Sequence, residues 1–147
     1  MQVKKYNGLI SNIKKNQILV FGSNPEGRHG KGVARLALDK YGAKYGQGHG
    51  LQGKSYGLVT KNLTKGYYDS VRDIKYHNYG LKSISEKQII YNIRELYNVA
   101  HDMKNVEFLV AYTAAGKNLN GYTSKELAKM FNTYKIPKNI IFEDKFL

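Results

Sequence analysis

Residues suited to binding a negatively charged ligand concentrate in two segments of this 147-residue chain. The first, residues 22–33, follows a short apolar run and contains Gly22, Ser23, Asn24, Arg28, Gly30, Lys31, Gly32 and Val33. Glycines allow a ligand to approach the backbone, and arginine or lysine can neutralise a phosphate. The segment therefore predicts a site for a phosphate-bearing ligand, although glycine loops also serve turn geometry alone and surface cations often bind nothing.

The second segment, residues 113–122, is also rich in small and polar residues. It contains Thr113, Ala115, Gly116, Lys117, Asn118, Gly121 and Tyr122. Like the first segment, it comes after the pattern of a buried strand and before the pattern of a helix. Because ligands in open α/β sheets bind beyond the carboxyl ends of the strands, the two segments are expected to form one site if their strands are neighbours.

Other motifs for nucleotide, metal or catalytic chemistry are incomplete. Residues 48–53 have the spacing G-x-G-x-x-G, but a strand follows where the dinucleotide fingerprint requires a helix. Residues 27–32 lack the Gly-Lys-Ser/Thr ending of a Walker motif. None of the four histidines has metal-ligand spacing with a carboxylate, so the sequence predicts no metal site. Of these histidines, His29 and His49 lie in loops and are expected to be solvated.

Composition narrows the class of protein. With 41% hydrophobic residues, the chain is expected to form one domain, residues 1–147, around a core. It has no apolar stretch of about 18 residues and no apolar leader, so we expect neither a membrane span nor secretion. The absence of cysteine fits a cytoplasmic protein. The net charge of +13 favours an anionic partner, either nucleic acid or a phosphorylated small molecule, although a compositional bias towards lysine explains it equally well.

Hydrophobic periodicity places the two segments in an alternating series of strands and helices. Strands are predicted at residues 17–21, 55–60, 108–112 and 140–142, and helices at residues 33–41, 86–103 and 124–134. Capping-box spacing marks the start of the second helix, by Ser85 with Gln88 or Ser83 with Glu86, and of the third, by Thr123 with Glu126. This alternation predicts an α/β fold with mostly parallel strands at the centre of the sheet.

Three regions have weaker patterns. Residues 6–10 are predicted to form an edge strand protected by nearby lysines, and residues 71–76 a short strand. Residues 42–53 contain so many glycines that no regular structure is predicted there. On the helices, Tyr97 and Tyr134 are predicted to face the core, which leaves fewer tyrosines for stacking on nucleic-acid bases.

The first segment and its surroundings carry a family resemblance. Phe21-Gly22-Ser23-Asn24, residues 27–32, Tyr41-Gly42-Ala43, residues 45–48, residues 50–56 and Thr60-Lys61 resemble a family of small bacterial and phage proteins that is related to macro domains, the ADP-ribose-binding fold. The resemblance is close over residues 17–61 and looser over residues 108–122. It implies a three-layer α/β/α macro-like fold with a mixed, centrally parallel sheet.

The resemblance also implies roles for individual residues. Asn24 would reach the distal ribose of the nucleotide, and Gly30, Gly32 and Val33 would lie along that ribose and the phosphates. The second segment would wrap the diphosphate and flank the ribose through Ala115, Gly116, Asn118, Gly121 and Tyr122.

The chain departs from the family pattern at two places. Its N-terminal region lacks the Gly-Asp-Ile/Val pattern whose Asp reads adenine, so the resemblance leaves adenine specificity open. Positive side chains also occupy loops that are usually bare, at Arg28, Lys31 and Lys117.

The sequence therefore supports three functional hypotheses. The first is binding of an ADP-ribose-like nucleotide by the two loops, with no cofactor. The second is hydrolysis of an ADP-ribosyl linkage on protein or nucleic acid, with Asn24 orienting the attacking water. The third is a basic nucleic-acid-binding module, in which lysine and arginine side chains contact phosphates.

Overall fold

The computed structural model describes residues 4–114 and 118–147, and within them it contains eight strands and three helices. Six strands form the main sheet: β1 (Lys5–Tyr6), β2 (Gln17–Ser23), β3 (Gly50–Gln52), β4 (Ser55–Val59), β7 (Glu107–Val110) and β8 (Ile140–Glu143). The other two strands form a separate hairpin, β5 (Tyr67–Asp69) and β6 (Ile74–Tyr76). The helices are α1 (Gly32–Lys40), α2 (Glu86–Asp102) and α3 (Ser124–Phe131).

The main sheet is mixed and mostly parallel. Its strand order is β1-β8-β7-β2-β4-β3, and every pair of neighbours is parallel except β3 with β4. At the centre, Leu19 of β2 pairs with Ser55 on one side and with Leu109 on the other. The carboxyl ends of β4, β2 and β7 therefore lie side by side at one edge of the sheet.

Helices pack on both faces of this sheet. Along β2, Ile18 and Val20 belong to the larger apolar cluster, which includes buried residues of α2 and α3. The intervening residues, Leu19 and Phe21, belong to a second cluster with Ala37 of α1. Because successive side chains of a strand point to opposite faces, this division separates α1 from the other two helices. The predicted α/β fold with a mixed, mostly parallel sheet is confirmed, and the arrangement is compatible with a three-layer α/β/α fold.

The helix starts follow their capping residues. At α3, Thr123 Oγ1 accepts a hydrogen bond from the Glu126 N–H (3.1 Å) and the Glu126 carboxylate accepts one from the Thr123 N–H (2.9 Å), so the predicted capping box forms. At α2, Ser85 Oγ accepts from the Gln88 N–H (3.2 Å), but the Gln88 amide donates to Asn92 instead of returning to Ser85. None of the helices in the described part of the chain is long and apolar enough to cross a membrane.

Several sequence-based expectations need correction. Residues 42–53 were expected to lack regular structure, yet β3 forms there, because Gly50–Gln52 pairs antiparallel with β4. The predicted edge strand at residues 6–10 is shorter, with only Lys5–Tyr6 paired to β8. Tyr134 is 42% exposed rather than in the core, because α3 ends at Phe131. Tyr97 is buried as predicted.

Close contact between three backbone segments holds the turn before β3 against the rest of the fold. A Cβ built on Gly48 would lie 1.9 Å from the Asn24 carbonyl oxygen, and one on Gly57 would lie 2.0 Å from the Gly48 carbonyl oxygen. Real Cβ atoms do not approach backbone oxygen so closely, so glycine is required at both positions. The turn is thereby stacked between β4 and the loop that begins at Asn24.

We expect Gly48→Ala to lower the free energy of unfolding by about 3 kcal/mol, because the clash is with backbone and no side-chain rotation relieves it. Urea denaturation followed by circular dichroism measures the change. Gly30→Ala is the matched control, since Gly30 has an ordinary backbone conformation and no neighbour within 4 Å of an added Cβ. Similar denaturation midpoints for Gly48→Ala and Gly30→Ala would show that the stacked contact is absent.

Candidate functional site

A cavity of about 520 Å³ opens at the edge of the sheet where β2, β4 and β7 end. All eight residues predicted for the first segment line it, together with one residue of the second: Gly22, Ser23, Asn24, Arg28, Gly30, Lys31, Gly32, Val33 and Asn118. The described parts of the two segments therefore share one hollow, as the neighbouring positions of β2 and β7 require.

Sequence reasoning missed other residues of the cavity wall. These residues follow β4 or β7, come directly after the first segment, or lie within the second: Thr60, Lys61, Leu63, Ala111, Tyr112, Ala34, Leu119 and Asn120. The signal for Thr60 and Lys61 was available, because they lie at the end of a predicted strand and belong to the family resemblance. It could be used only once β4 was known to pair with β2.

Some predicted residues lie elsewhere. Tyr122 is buried, its hydroxyl donates to the Ile84 carbonyl (2.7 Å), and it does not line the cavity. Gly121 lies against Leu81 and does not line it either. Thr113 lines a smaller neighbouring hollow instead. The predicted residues Ala115, Gly116 and Lys117 lie outside the described residues.

The aromatic ring in the cavity wall belongs to Tyr112. Its hydroxyl lies 3.2 Å from Thr60 Oγ1, so it links the segment after β7 to the segment after β4. Its ring stacks on Phe146 with the ring centroids 5.9 Å apart. Burial raises the pKa of Tyr112, which keeps the hydroxyl protonated at neutral pH.

The charges that line the cavity are all positive among the described residues. They belong to Arg28, Lys31 and Lys61, and no described Asp or Glu is part of the wall. Arg28 forms an ion pair with Glu26 (3.2 Å), and Glu26 also accepts a hydrogen bond from the Thr64 hydroxyl (2.7 Å). Lys31 and Lys61 have no carboxylate within ion-pair distance in the described structure. The wall is thus suited to a ligand with more than one negative charge.

The start of α1 adds to this positive potential. Its N-cap residue, Lys31, makes no side-chain hydrogen bond to the first turn, whereas Ser85 and Thr123 cap the other two helices. The first residues of α1, Gly32 and Val33, line the cavity. Uncapped amides at a helix start donate readily to anions, and the helix dipole has its positive end there.

The Asn24 side chain is bonded within its own loop. Its Nδ2 donates to the Arg28 carbonyl (3.1 Å) and its Oδ1 accepts from the Arg28 N–H (3.1 Å). Both polar atoms of the amide are therefore engaged in shaping residues 24–28. This geometry makes Asn24 a brace of the loop that presents Arg28 to the cavity.

His29 anchors the same loop to the core. It is fully buried, so the expectation that it is solvated is wrong. Its Nε2 lies 2.9 Å from the Gln47 carbonyl, and its ring packs edge-on against Phe21 with the centroids 5.0 Å apart. The histidine enters the core because the turn at residues 44–49 covers the loop, a contact that the local sequence does not reveal.

A buried polar network supports the opposite wall. Arg72, between the hairpin strands β5 and β6, donates to Asn92 Oδ1 (2.9 Å) and also pairs with Glu95. Asn92 in turn donates to the carbonyl of Val59 (2.9 Å), and Val59 is the last residue of β4. This chain of contacts holds the hairpin and α2 at the point where β4 leads into Thr60 and the cavity.

His49 adds a titratable group to that network. Its Nε2 lies 3.6 Å from Glu95, and its side chain is only 25% exposed, so it too is less solvated than expected. Burial and the nearby Arg72 lower the pKa of His49 below 6.5, although Glu95 acts in the opposite direction. Within residues 4–114 and 118–147, no group of three or more His, Asp or Glu side chains is arranged to hold a metal ion.

A second hollow of about 220 Å³ adjoins the cavity, and the two share Gly32, Val33 and Ala111. The rest of its lining is mostly apolar and consists of Tyr6, Leu9, Ile10, Leu36 and Thr113. The Tyr6 hydroxyl donates to the Val110 carbonyl (2.7 Å). Burial, with Glu143 nearby, raises the pKa of Tyr6 well above its ordinary range. The hydroxyl therefore stays protonated and remains a hydrogen-bond donor to the Val110 carbonyl.

We expect the free energy of unfolding to fall as the pH is lowered from 7.5 to 5.5. Folded His49 has a lowered pKa, so the unfolded chain takes up a proton first and is favoured below pH 6.5. Urea denaturation at pH 7.5, 6.5 and 5.5 measures the loss. His49→Gln should remove part of it, and an unchanged pH dependence in His49→Gln would contradict this role for His49.

Comparisons with known proteins assign no family to this chain. No family model, no curated protein and no solved structure matches it. Its function therefore has to be argued from the cavity itself.

Proposed function

We propose that the cavity binds an ADP-ribose-like nucleotide, or a related nucleoside diphosphate, with the diphosphate at the start of α1. The observation that carries this proposal is the charge of the wall. Arg28, Lys31 and Lys61 line a hollow to which no described carboxylate contributes. Phosphate groups are the common biological anions that match several cations and free backbone amides together.

The size and shape of the site support an elongated ligand. The cavity of about 520 Å³ falls within the range typical of small-molecule sites, about 300–1,000 Å³. The adjoining apolar hollow of about 220 Å³ has the character of a nucleobase pocket. Gly32 and Val33 lie on the border between the two hollows. A diphosphate at this border would leave a base in the smaller hollow and a ribose in the larger one.

The position of the site in the fold agrees with this assignment. Ligands of open α/β sheets bind beyond the carboxyl ends of the strands, and the cavity lies at the ends of β2, β4 and β7. The residues that resemble the macro-domain-related family, 17–61, supply most of the cavity wall. We propose on these grounds that the fold is macro-like.

We propose binding rather than bond cleavage. The Asn24 amide makes two hydrogen bonds to the Arg28 backbone, one from Nδ2 and one to Oδ1, so its evident task is to shape the loop. His29 is buried beneath the loop and its Nε2 contacts the Gln47 carbonyl. The described wall offers cations, amides and hydroxyls for holding a ligand, and we assign no group that breaks a bond.

We expect ADP-ribose to bind the wild-type protein in isothermal titration calorimetry, and Lys31→Glu/Lys61→Glu to weaken binding at least ~10-fold. Reversing two charges near a diphosphate changes the interaction by more than about 1 kcal/mol even with strong solvent screening. Absence of binding by folded wild-type protein to any nucleoside diphosphate would overturn the proposal.

Lys104→Glu/Lys138→Glu is the charge-matched control. Both lysines are exposed and precede β7 and β8, so they lie at the opposite edge of the sheet. This variant should change the affinity for ADP-ribose less than ~3-fold, because charges beyond a Debye length are largely screened. An oligonucleotide titrated in parallel tests the nucleic-acid hypothesis, which requires affinity that falls steeply with salt.

A further inference from the structure

Resting on the proposed function, we propose that this chain does not select its nucleobase, so that its ligand class is nucleoside diphosphates in general. Under the proposed function, the base lies in the smaller hollow. The cations of the larger cavity act on phosphates and are indifferent to the base.

Among the described residues, the side chains that line the smaller hollow offer little that could read the edge of a base. Leu9, Ile10, Val33 and Leu36 are apolar, and the remaining positions without polar side chains are Gly32 and Ala111. Bases differ from one another in the pattern of donors and acceptors along their edges. Contact with aliphatic side chains does not distinguish those patterns.

The two polar residues that line the hollow in the described part of the chain, Tyr6 and Thr113, already have partners. The Tyr6 hydroxyl donates its proton to the Val110 carbonyl at 2.7 Å. Thr113 also has an interaction partner of its own, and its carbonyl accepts from the Ser124 hydroxyl (2.7 Å). A base that displaced the Tyr6 hydroxyl would leave a strand carbonyl without its partner, which disfavours such a readout.

The expected ratio of affinities for different bases depends on how the pocket contacts them. A pocket built to hydrogen-bond its ligand rejects a wrong one by 10⁴-fold or more, whereas an apolar pocket separates similar groups by roughly 10–200-fold. Purines and pyrimidines differ in apolar area, so a modest preference for purines is compatible with an apolar pocket. Discrimination between two purines should be small.

Calorimetric titration with ADP, GDP, CDP and UDP, with ADP-ribose as reference, tests the inference. We expect dissociation constants for the four diphosphates within about 10-fold of one another. A preference of more than about 200-fold for any one of the four diphosphates over the others exceeds what an apolar pocket supplies, and it would overturn the inference and show that some group reads the base. If ADP-ribose and all four diphosphates fail to bind, the proposed function itself fails. If ADP-ribose and ADP bind and the others do not, only the present inference fails.

Two variants probe the hollow directly. Tyr6→Phe should leave the ratio of ADP to UDP affinity unchanged within about 3-fold, because the hydroxyl is already bonded to Val110. A larger change in that ratio would mean that Tyr6 reads the base, and would overturn the inference. In contrast, Leu9→Asp introduces a carboxylate, which favours the exocyclic amine of adenine over the carbonyl oxygens of uracil.

Leu9 is suited to this gain of selectivity because it lines the hollow and is 85% exposed, so its replacement should not disturb the core. We expect Leu9→Asp to raise the ratio of ADP to UDP affinity about 10-fold or more above that of the wild-type protein. An unchanged ratio would place the base outside this hollow and overturn the inference. Leu9→Asn, which has no charge, separates base reading from repulsion of the diphosphate, since repulsion weakens all four ligands alike.

Discussion

The candidate site depends on a contact between three layers of backbone. Gly57 of β4, Gly48 of the preceding turn and the Asn24 carbonyl approach so closely that a Cβ at either glycine would lie about 2 Å from a backbone oxygen. Further bonds join the same segments, from the Gly46 N–H to the Gly27 carbonyl (3.0 Å) and from His29 to the Gln47 carbonyl. The turn therefore packs against residues 24–30 and supports them.

A loop braced in this way can present charge without rearranging. The Asn24 amide and the Arg28 backbone close the loop from within, and Glu26 connects it to Thr64, in the segment that follows β4. Arg28 is in addition held by Glu26, which leaves Lys31 and Lys61 as the cations of the wall without a described carboxylate partner. Fixing the backbone of residues 24–28 before a ligand arrives reduces the entropy lost on binding.

The opposite wall relies on side-chain hydrogen bonds rather than on close backbone contact. Arg72, Glu95 and Asn92 connect the hairpin to α2 and to the last carbonyl of β4. Asn92 is fully buried, so loss of a hydrogen-bond partner there leaves a polar group unsatisfied. His49 lies beside it and belongs to the turn that supports the glycine loop. His49 and Glu95 thus connect the turn that supports the glycine loop to the network at the end of β4.

Local sequence patterns were enough to predict most of the secondary structure and the segment that forms most of the cavity wall. Apolar runs and capping residues placed most strands and the three helices within a few residues, since local periodicity and caps act within one element. They also located residues 22–33, most of which line the cavity. The three-dimensional packing was needed to establish that Tyr112 rather than Tyr122 faces the cavity and that His29 is buried. These outcomes depend on partners such as Thr60, Ile84 and Gln47, which lie 18 to 52 residues away in the chain, and a local pattern carries no information about contacts at that separation.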